Sequence, residues 1–145
     1  EQKAQKVSSQ FKEAIVIGCD QTAEYNNIQI QKPLNYESAL SQLKELSGKR
    51  VNFHSAICVH YYKKNILQKK VISFNVKYKD LNLVEIKSYL EKEKPFNCTG
   101  SIRSEGLGIT LLDEINSSDP TAVIGLPLIT LVDMLNKVGI NINGR

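Results

Sequence analysis

No stretch of this 145-residue chain approaches the roughly 20 consecutive apolar residues that a membrane-spanning helix needs. The opening residues, Glu1-Gln2-Lys3-Ala4, are polar and carry no signal-peptide core. They also lack an initiating Met, which leaves either residues missing before Glu1 or a removed tag. Cysteine is scarce: Cys19, Cys58 and Cys98 form no CxxC pair and no Cys/His cluster. That excludes the sequence signature of a structural zinc site or a disulfide framework. An odd number of widely spaced thiols fits a reduced cytoplasm. Basic blocks are missing too. The formal net charge is +4, but Lys and Arg are scattered. Such a balance suits an anionic ligand without giving the footprint of a nucleic-acid binder. Repeats, low-complexity segments and linkers are absent.

What is there is an ordinary globular composition. Hydrophobic residues make up 41% and charged residues 23%, enough for one domain, residues 1–145, with a real core. The organising stretch is 14–33. An apolar run, Ala14-Ile15-Val16-Ile17, leads through Gly18-Cys19 to Asp20, Asn26-Asn27 breaks the pattern, and Ile28-Gln29-Ile30 returns toward Lys32-Pro33. This reads as a buried strand, a tight turn at the asparagines and a return strand. A carboxylate on one strand and an ammonium closing the other can then share a cleft wall.

The remaining elements alternate. Ala4, Val7 and Phe11 fall at helical spacing over 2–11. Asn35 is a good N-cap for a helix over Tyr36–Leu46, with Ala39, Leu40, Leu43 and Leu46 inside and Ser47-Gly48 at its end. Two long strands follow, 51–62 and 66–79, joined at Lys64-Asn65. Asn82 and Glu85 have capping-box spacing for a helix that turns Leu83, Ile86 and Leu90 inward. The loop 97–106 is small and polar, 107–115 is strand-like, and a last helix runs over 128–138 to Gly139. The pattern predicts an α/β domain with a mixed sheet.

Asp20 is the first candidate for chemistry. A carboxylate just after an apolar strand could hold Mg²⁺ or Mn²⁺, or orient a water; the plainer reading is a solvated strand-end aspartate. Lys32, held by Pro33, could neutralise a phosphate oxygen, and Lys3 is a weaker candidate of the same kind. In the loop 100–106, glycines let backbone approach a ligand, and Arg103 could contact a phosphate. Glu105, acceptor-only when ionised, suits a donor pair such as the N–H edge of guanine. An ordinary surface turn is the alternative there. His54 and His60 share a strand face, but with no acidic or cysteine partner at ligand spacing they point to packing or cross-strand contacts. Tyr61-Tyr62-Lys63-Lys64 reads as a solubilising hairpin end.

Several pieces together resemble the Maf family of nucleoside triphosphate pyrophosphatases. They are Ile17-Gly18-Cys19-Asp20-Gln21, Gln31-Lys32-Pro33, Ala39 through Leu46-Ser47-Gly48-Lys49, Phe53-His54-Ser55, Cys98-Thr99-Gly100-Ser101, Ser104-Glu105-Gly106-Leu107-Gly108 and Ile124-Gly125-Leu126-Pro127-Leu128. They occur in the family's order and cover nearly the whole chain. Asp-Gln after the strand and Gly-Ser-Ile-Arg-Ser-Glu-Gly in the late loop resemble the branch acting on 7-methyl-GTP. The branch acting on dTTP and UTP typically has Asp-Thr, and a glutamine where Glu105 stands.

The resemblance implies a Maf/inosine-triphosphatase-like α/β fold: a mixed twisted sheet with long antiparallel strands, flanked by helices around a central cleft. It implies hydrolysis of 7-methyl-GTP to 7-methyl-GMP and pyrophosphate with a divalent metal, Mg²⁺ or Mn²⁺, in the cytoplasm. Asp20 would be the proton acceptor and metal ligand, and Lys3, Lys32 and Arg103 would contact the substrate. Gln21 and Glu105 would set its choice. A homodimer is a further expectation, and no membrane or nucleic-acid partner is implied. N7-methylated guanine carries ring charge and N–H donors, and a carboxylate answers both. Thr99 and Arg103 depart mildly from the family, which prefers alanine and lysine there. The family also opens with a strand and a Ser-rich, Arg-containing loop that this chain lacks, so a truncation is expected. A dTTP/UTP pyrophosphatase and a catalytically impaired nucleotide-binding relative are the alternatives.

Overall fold

The computed structural model describes residues 2–144, and the side chains of all of these but Lys3. The elements in order are α1 (Gln2–Gln10), β1 (Ile15–Tyr25), β2 (Ile28–Ile30), α2 (Tyr36–Leu46), β3 (Arg50–Tyr61), β4 (Ile66–Tyr78), α3 (Leu83–Glu93), β5 (Leu112–Asn116) and α4 (Leu128–Lys137). Short 3₁₀ turns interrupt the loops. The strands form one sheet in the order β2-β1-β3-β4-β5. The α/β class is as expected, with one refinement. The β1–β2 and β4–β5 pairs are antiparallel, and the sheet is antiparallel where a mixed one was expected. No helix among the described residues is long and apolar enough to cross a membrane.

The chain divides into two compact units. The first holds the chain through Asp20, then Ser55–Ile72, then everything from Ser118; the second holds Gln21–His54 and Ser73–Ser117. β1, β3 and β4 therefore contribute residues to both.

In the first unit, Ile57 and Val59 of β3 pack against Leu131, Met134 and Val138, with Ile15, Ile66, Leu126 and Leu135 around them. Each such side chain contributes about 1.5–3 kcal/mol when fully buried. Helix α1 buries Ala4 and Ser8, and the Ser8 hydroxyl hydrogen-bonds His60 Nδ1. A Cβ on Gly18 would lie 3.2 Å from the Ala4 Cβ, so the glycine lets the helix approach β1 closely. Asp119 is buried but satisfied: it accepts from Thr121 Oγ1 at 2.8 Å and Thr130 N at 3.0 Å, fixing the approach to α4.

In the second unit, Phe53 and Phe74 stack with ring centroids 5.3 Å apart. Helix α2 supplies Ala39, Leu43 and Leu46, and α3 supplies Ile86, Tyr89 and Leu90. Asn35 caps α2 by accepting from Ser38 N at 2.9 Å. Leu83, expected inside, is 46% exposed; it lies in the first turn of α3, and Tyr89 takes the inward place.

Three other expectations change. The first strand does not stop near Asp20 but runs to Tyr25, so Asp20 sits in mid-strand. Nor is its apolar start deeply buried: Ile17 is 43% exposed, and Ala23 is the buried residue of β1. The Asn26-Asn27 turn forms as read, with positive φ at both residues. The segment 107–115 is not one strand. Gly106 N and Gly108 N both donate to Arg103 O, at 3.1 and 3.0 Å. That curls the chain into a 3₁₀ turn, Leu107–Leu111, before β5 begins. The histidines make cross-strand and packing contacts: His54 Nδ1 meets Ser73 Oγ at 2.9 Å, and His60 meets Tyr62 edge-on.

Asn82 makes the expected capping box. Its Oδ1 accepts from Val84 N and Glu85 N, and Glu85 Oε2 accepts from Asn82 N at 2.8 Å. Asn82→Ala should destabilise the protein by about 1 kcal/mol. Differential scanning calorimetry should then show Tm lowered by about 3 °C.

Candidate active site

Asp20 lines a cavity of about 730 Å³ in the first unit. Around it stand Gly18 and Cys19 of β1, Ala56 and Cys58 of β3, and Lys69 and Lys70 of β4. Among the described lining residues Asp20 is the one carboxylate, and the two lysines are the cations. Mid-strand placement explains the wall: neighbouring antiparallel strands lie about 4.8 Å apart, so residues of all three reach one surface. The lysines are functional candidates that the sequence reading missed. Their signal was a pair of adjacent charges inside a strand pattern, which alternation sends to opposite faces, so at most one reads as turned toward a shared surface.

The Cys19 thiol, at the same cavity, is engaged as a donor. Its Sγ donates to Gly125 O at 2.8 Å, tying β1 to the Gly125-Leu126-Pro127 segment. Partial desolvation pushes the thiol above its usual range, and the Asp20 charge adds to this against an opposing backbone hydrogen bond. A thiol so placed stays protonated at neutral pH. Gln21 follows Asp20 in β1, so its side chain leaves the opposite face of the strand. Lys3 belongs to α1, but its side chain lies outside the described residues.

The second unit gathers the other candidates. The Lys32-Pro33 segment is pinned on both sides: Gln42 Nε2 donates to Gln31 O at 3.0 Å, and Leu34 N donates to Phe96 O at 2.8 Å. Gln42 also accepts from Ser101 Oγ at 2.6 Å, joining this segment to the late loop. Gly100 has φ +72°, and a Cβ there would lie 2.8 Å from Tyr78 Oη; only glycine fits.

Beyond Gly100, charge accumulates. Arg103 Nε donates to Glu105 Oε1 at 3.2 Å, and Nη1 donates to Glu93 Oε1 at 3.1 Å. The backbone N of Arg103 donates to Tyr89 Oη at 3.1 Å. Cys98 lies within the field of all these groups. Burial raises its pKa first; Glu105 and Glu93 raise it further, while Arg103 and Lys32 lower it. Arg103 and Glu105 are in direct contact, and with Lys32 they act on the Cys98 thiol through their charges. Glu93 was not singled out in the sequence. At the end of α3, its local pattern is that of any solvated helix glutamate.

Among the described residues no three His, Cys, Asp or Glu side chains come together as a metal-ligand set. The donor chemistry fits Mg²⁺ or Mn²⁺ in another way: one carboxylate, with phosphate oxygens and waters completing the shell. Among the described residues that line this cavity, the one carboxylate is Asp20.

Comparison with known proteins agrees with this arrangement of motifs. The sequence matches the family described as Maf-like protein over residues 1–138. The 7-methyl-GTP pyrophosphatase of Methylobacillus flagellatus is 45% identical over 140 residues, covering 97% of this chain and 73% of that protein. That of Nitrosospira multiformis is 40% identical over 140 residues, covering 97% and 71%. That of Burkholderia pseudomallei is 46% identical over 126 residues, covering 87% and 59%. With these matches, the chain belongs to the Maf-like protein family.

Proposed function

We propose that this chain is a nucleoside triphosphate pyrophosphatase that hydrolyses 7-methyl-GTP to 7-methyl-GMP and pyrophosphate. The observation that carries the reading is the shared name of relatives 40–46% identical over most of the chain. The acidic late loop supports it. Glu105 offers a carboxylate where a cationic purine with N–H donors has to be told from an uncharged one. An amide would answer only the hydrogen bonds.

In this reading Asp20 accepts the proton of the water that attacks the α-phosphorus, and the bond to the β-phosphate breaks to release pyrophosphate. Asp20 would hold a divalent metal together with the substrate phosphates, and the ion would supply charge neutralisation on those oxygens. Lys32 and Lys3 take phosphate contacts, and Gln21 and Glu105 set the choice of base. Arg103, expected to contact the substrate, has its guanidinium paired with Glu93 and Glu105. The neutral thiols Cys98 and Cys19 take no chemical step. Three free cysteines favour a reducing, cytoplasmic setting.

Pyrophosphate release should be measured from 7-methyl-GTP, GTP, dTTP and UTP with Mg²⁺ or Mn²⁺. The 7-methyl-GTP rate should lead, and chelation by EDTA should abolish it. A lead for dTTP or UTP sinks the substrate assignment. Asp20→Asn should lower kcat by at least about 100-fold, the scale of a lost general base. Circular dichroism should show the fold intact, and an active variant removes Asp20 from its role. Glu105→Gln should reduce the preference for 7-methyl-GTP over GTP by about tenfold, the scale of a lost charge-assisted contact. The ratio of the two kcat/KM values reads this directly.

A further inference from the structure

Three charges of the second unit form one chain of contacts: Glu93, Arg103 and Glu105. Their exposures differ sharply. The Glu93 side chain is 9% exposed, against 51% for Arg103 and 40% for Glu105. Glu93 is also the better satisfied carboxylate. Its Oε1 accepts from Arg103 Nη1 at 3.1 Å, and its Oε2 accepts from Leu107 N at 2.7 Å. Gly106 lies so close that a Cβ there would come within 2.6 Å of either Glu93 oxygen. Glu93 is therefore the fixed member. The exposed partner is Arg103, whose guanidinium forks between two carboxylates.

That fork has a chemical consequence. A guanidinium can grip one carboxylate through two parallel N–H bonds. Among the described contacts, Glu105 receives only Nε, because Glu93 takes Nη1. We propose that Glu93 is a positioning residue for base selection: by holding Arg103, it keeps Glu105 singly paired and able to receive a cationic base. Glu93 touches no substrate in this scheme and acts through Arg103. The inference rests on the reading of the chain as a 7-methyl-GTP pyrophosphatase.

The test uses the full chain and the variant Glu93→Gln, with kcat/KM measured for 7-methyl-GTP and GTP. Glutamine keeps an acceptor for Leu107 N but loses the charge that holds Arg103. The ratio of the two kcat/KM values should fall about tenfold, the scale of one charge-assisted pairing, through loss on 7-methyl-GTP. Adding Arg103→Gln to that variant should bring the ratio back toward the wild-type value, since no guanidinium remains to close on Glu105. Equal losses on both substrates, or no recovery in the double variant, overturn the proposal and leave Glu93 a loop anchor. If Glu93→Gln does not fold, Arg103→Gln alone decides. A ratio at or above wild type is expected, and a tenfold fall overturns the proposal. A wild type without preference for 7-methyl-GTP instead defeats the functional reading. The positioning claim then stands or falls on the ¹H–¹⁵N signal of Arg103 Nε, which should shift in Glu93→Gln and must not stay unchanged.

Discussion

The second unit depends on a buried hydroxyl. Tyr78 is fully enclosed at the end of β4, and its Oη donates to Gly100 O at 2.9 Å. Burial pushes the phenol well above its usual pKa, so it remains a donor. An unpaired hydroxyl at this depth would cost about 1–3 kcal/mol. The bond therefore fixes where the late loop leaves the core. Gly100 and Ser101 both take positive φ, and Ser101, fully buried, hands on the constraint by donating to Gln42. Gln42 in turn holds the carbonyl before Lys32. Core packing, loop conformation and the placing of a cation are thus one set of linked contacts.

The first unit works by a different constraint. Its cavity is lined mostly by strand residues, and strands deliver side chains at fixed spacing but alternate faces. A carboxylate in mid-strand is held more rigidly than one at a strand end. Small neighbours, Gly18 and Ala56, leave room that larger side chains would fill. Lysine residues of β4 border the same cavity as Asp20, and alternation lets the side chain of one of the two face it. Opposite charges around one opening suit a polyanion that arrives with its own counter-ion, since each sign meets a partner.

Much of this was legible in the sequence, for local reasons. The Asn26-Asn27 turn, the Asn35 cap and the Asn82–Glu85 box are chemistry within a few residues, and each formed. Asp20, Lys32 and Glu105 stood out through their places in motifs. What failed was non-local. The extent of β1 follows from pairing, not from its own apolar run, which ends at Ile17. The 3₁₀ turn at Leu107–Leu111 follows from two glycine N–H groups converging on one carbonyl, which no periodicity announces. Glu93 looked like Glu91 in the helix pattern; only its partners, ten and more residues onward, set it apart.

The same partners decide which contact of the loop can open. An exposed ion pair is worth about 0–1 kcal/mol, because water screens it and side-chain entropy opposes it. The Arg103–Glu105 contact is of this kind. The Arg103–Glu93 contact is not, since one side of it is nearly buried and also satisfies a backbone N–H. A cation approaching Glu105 therefore competes with the more exposed of two bonds to one guanidinium. Arg103 has somewhere to stay, so releasing Glu105 strands no buried charge. Discrimination by charge at this loop becomes inexpensive because the less exposed pairing is made by the same guanidinium as the contact that has to open.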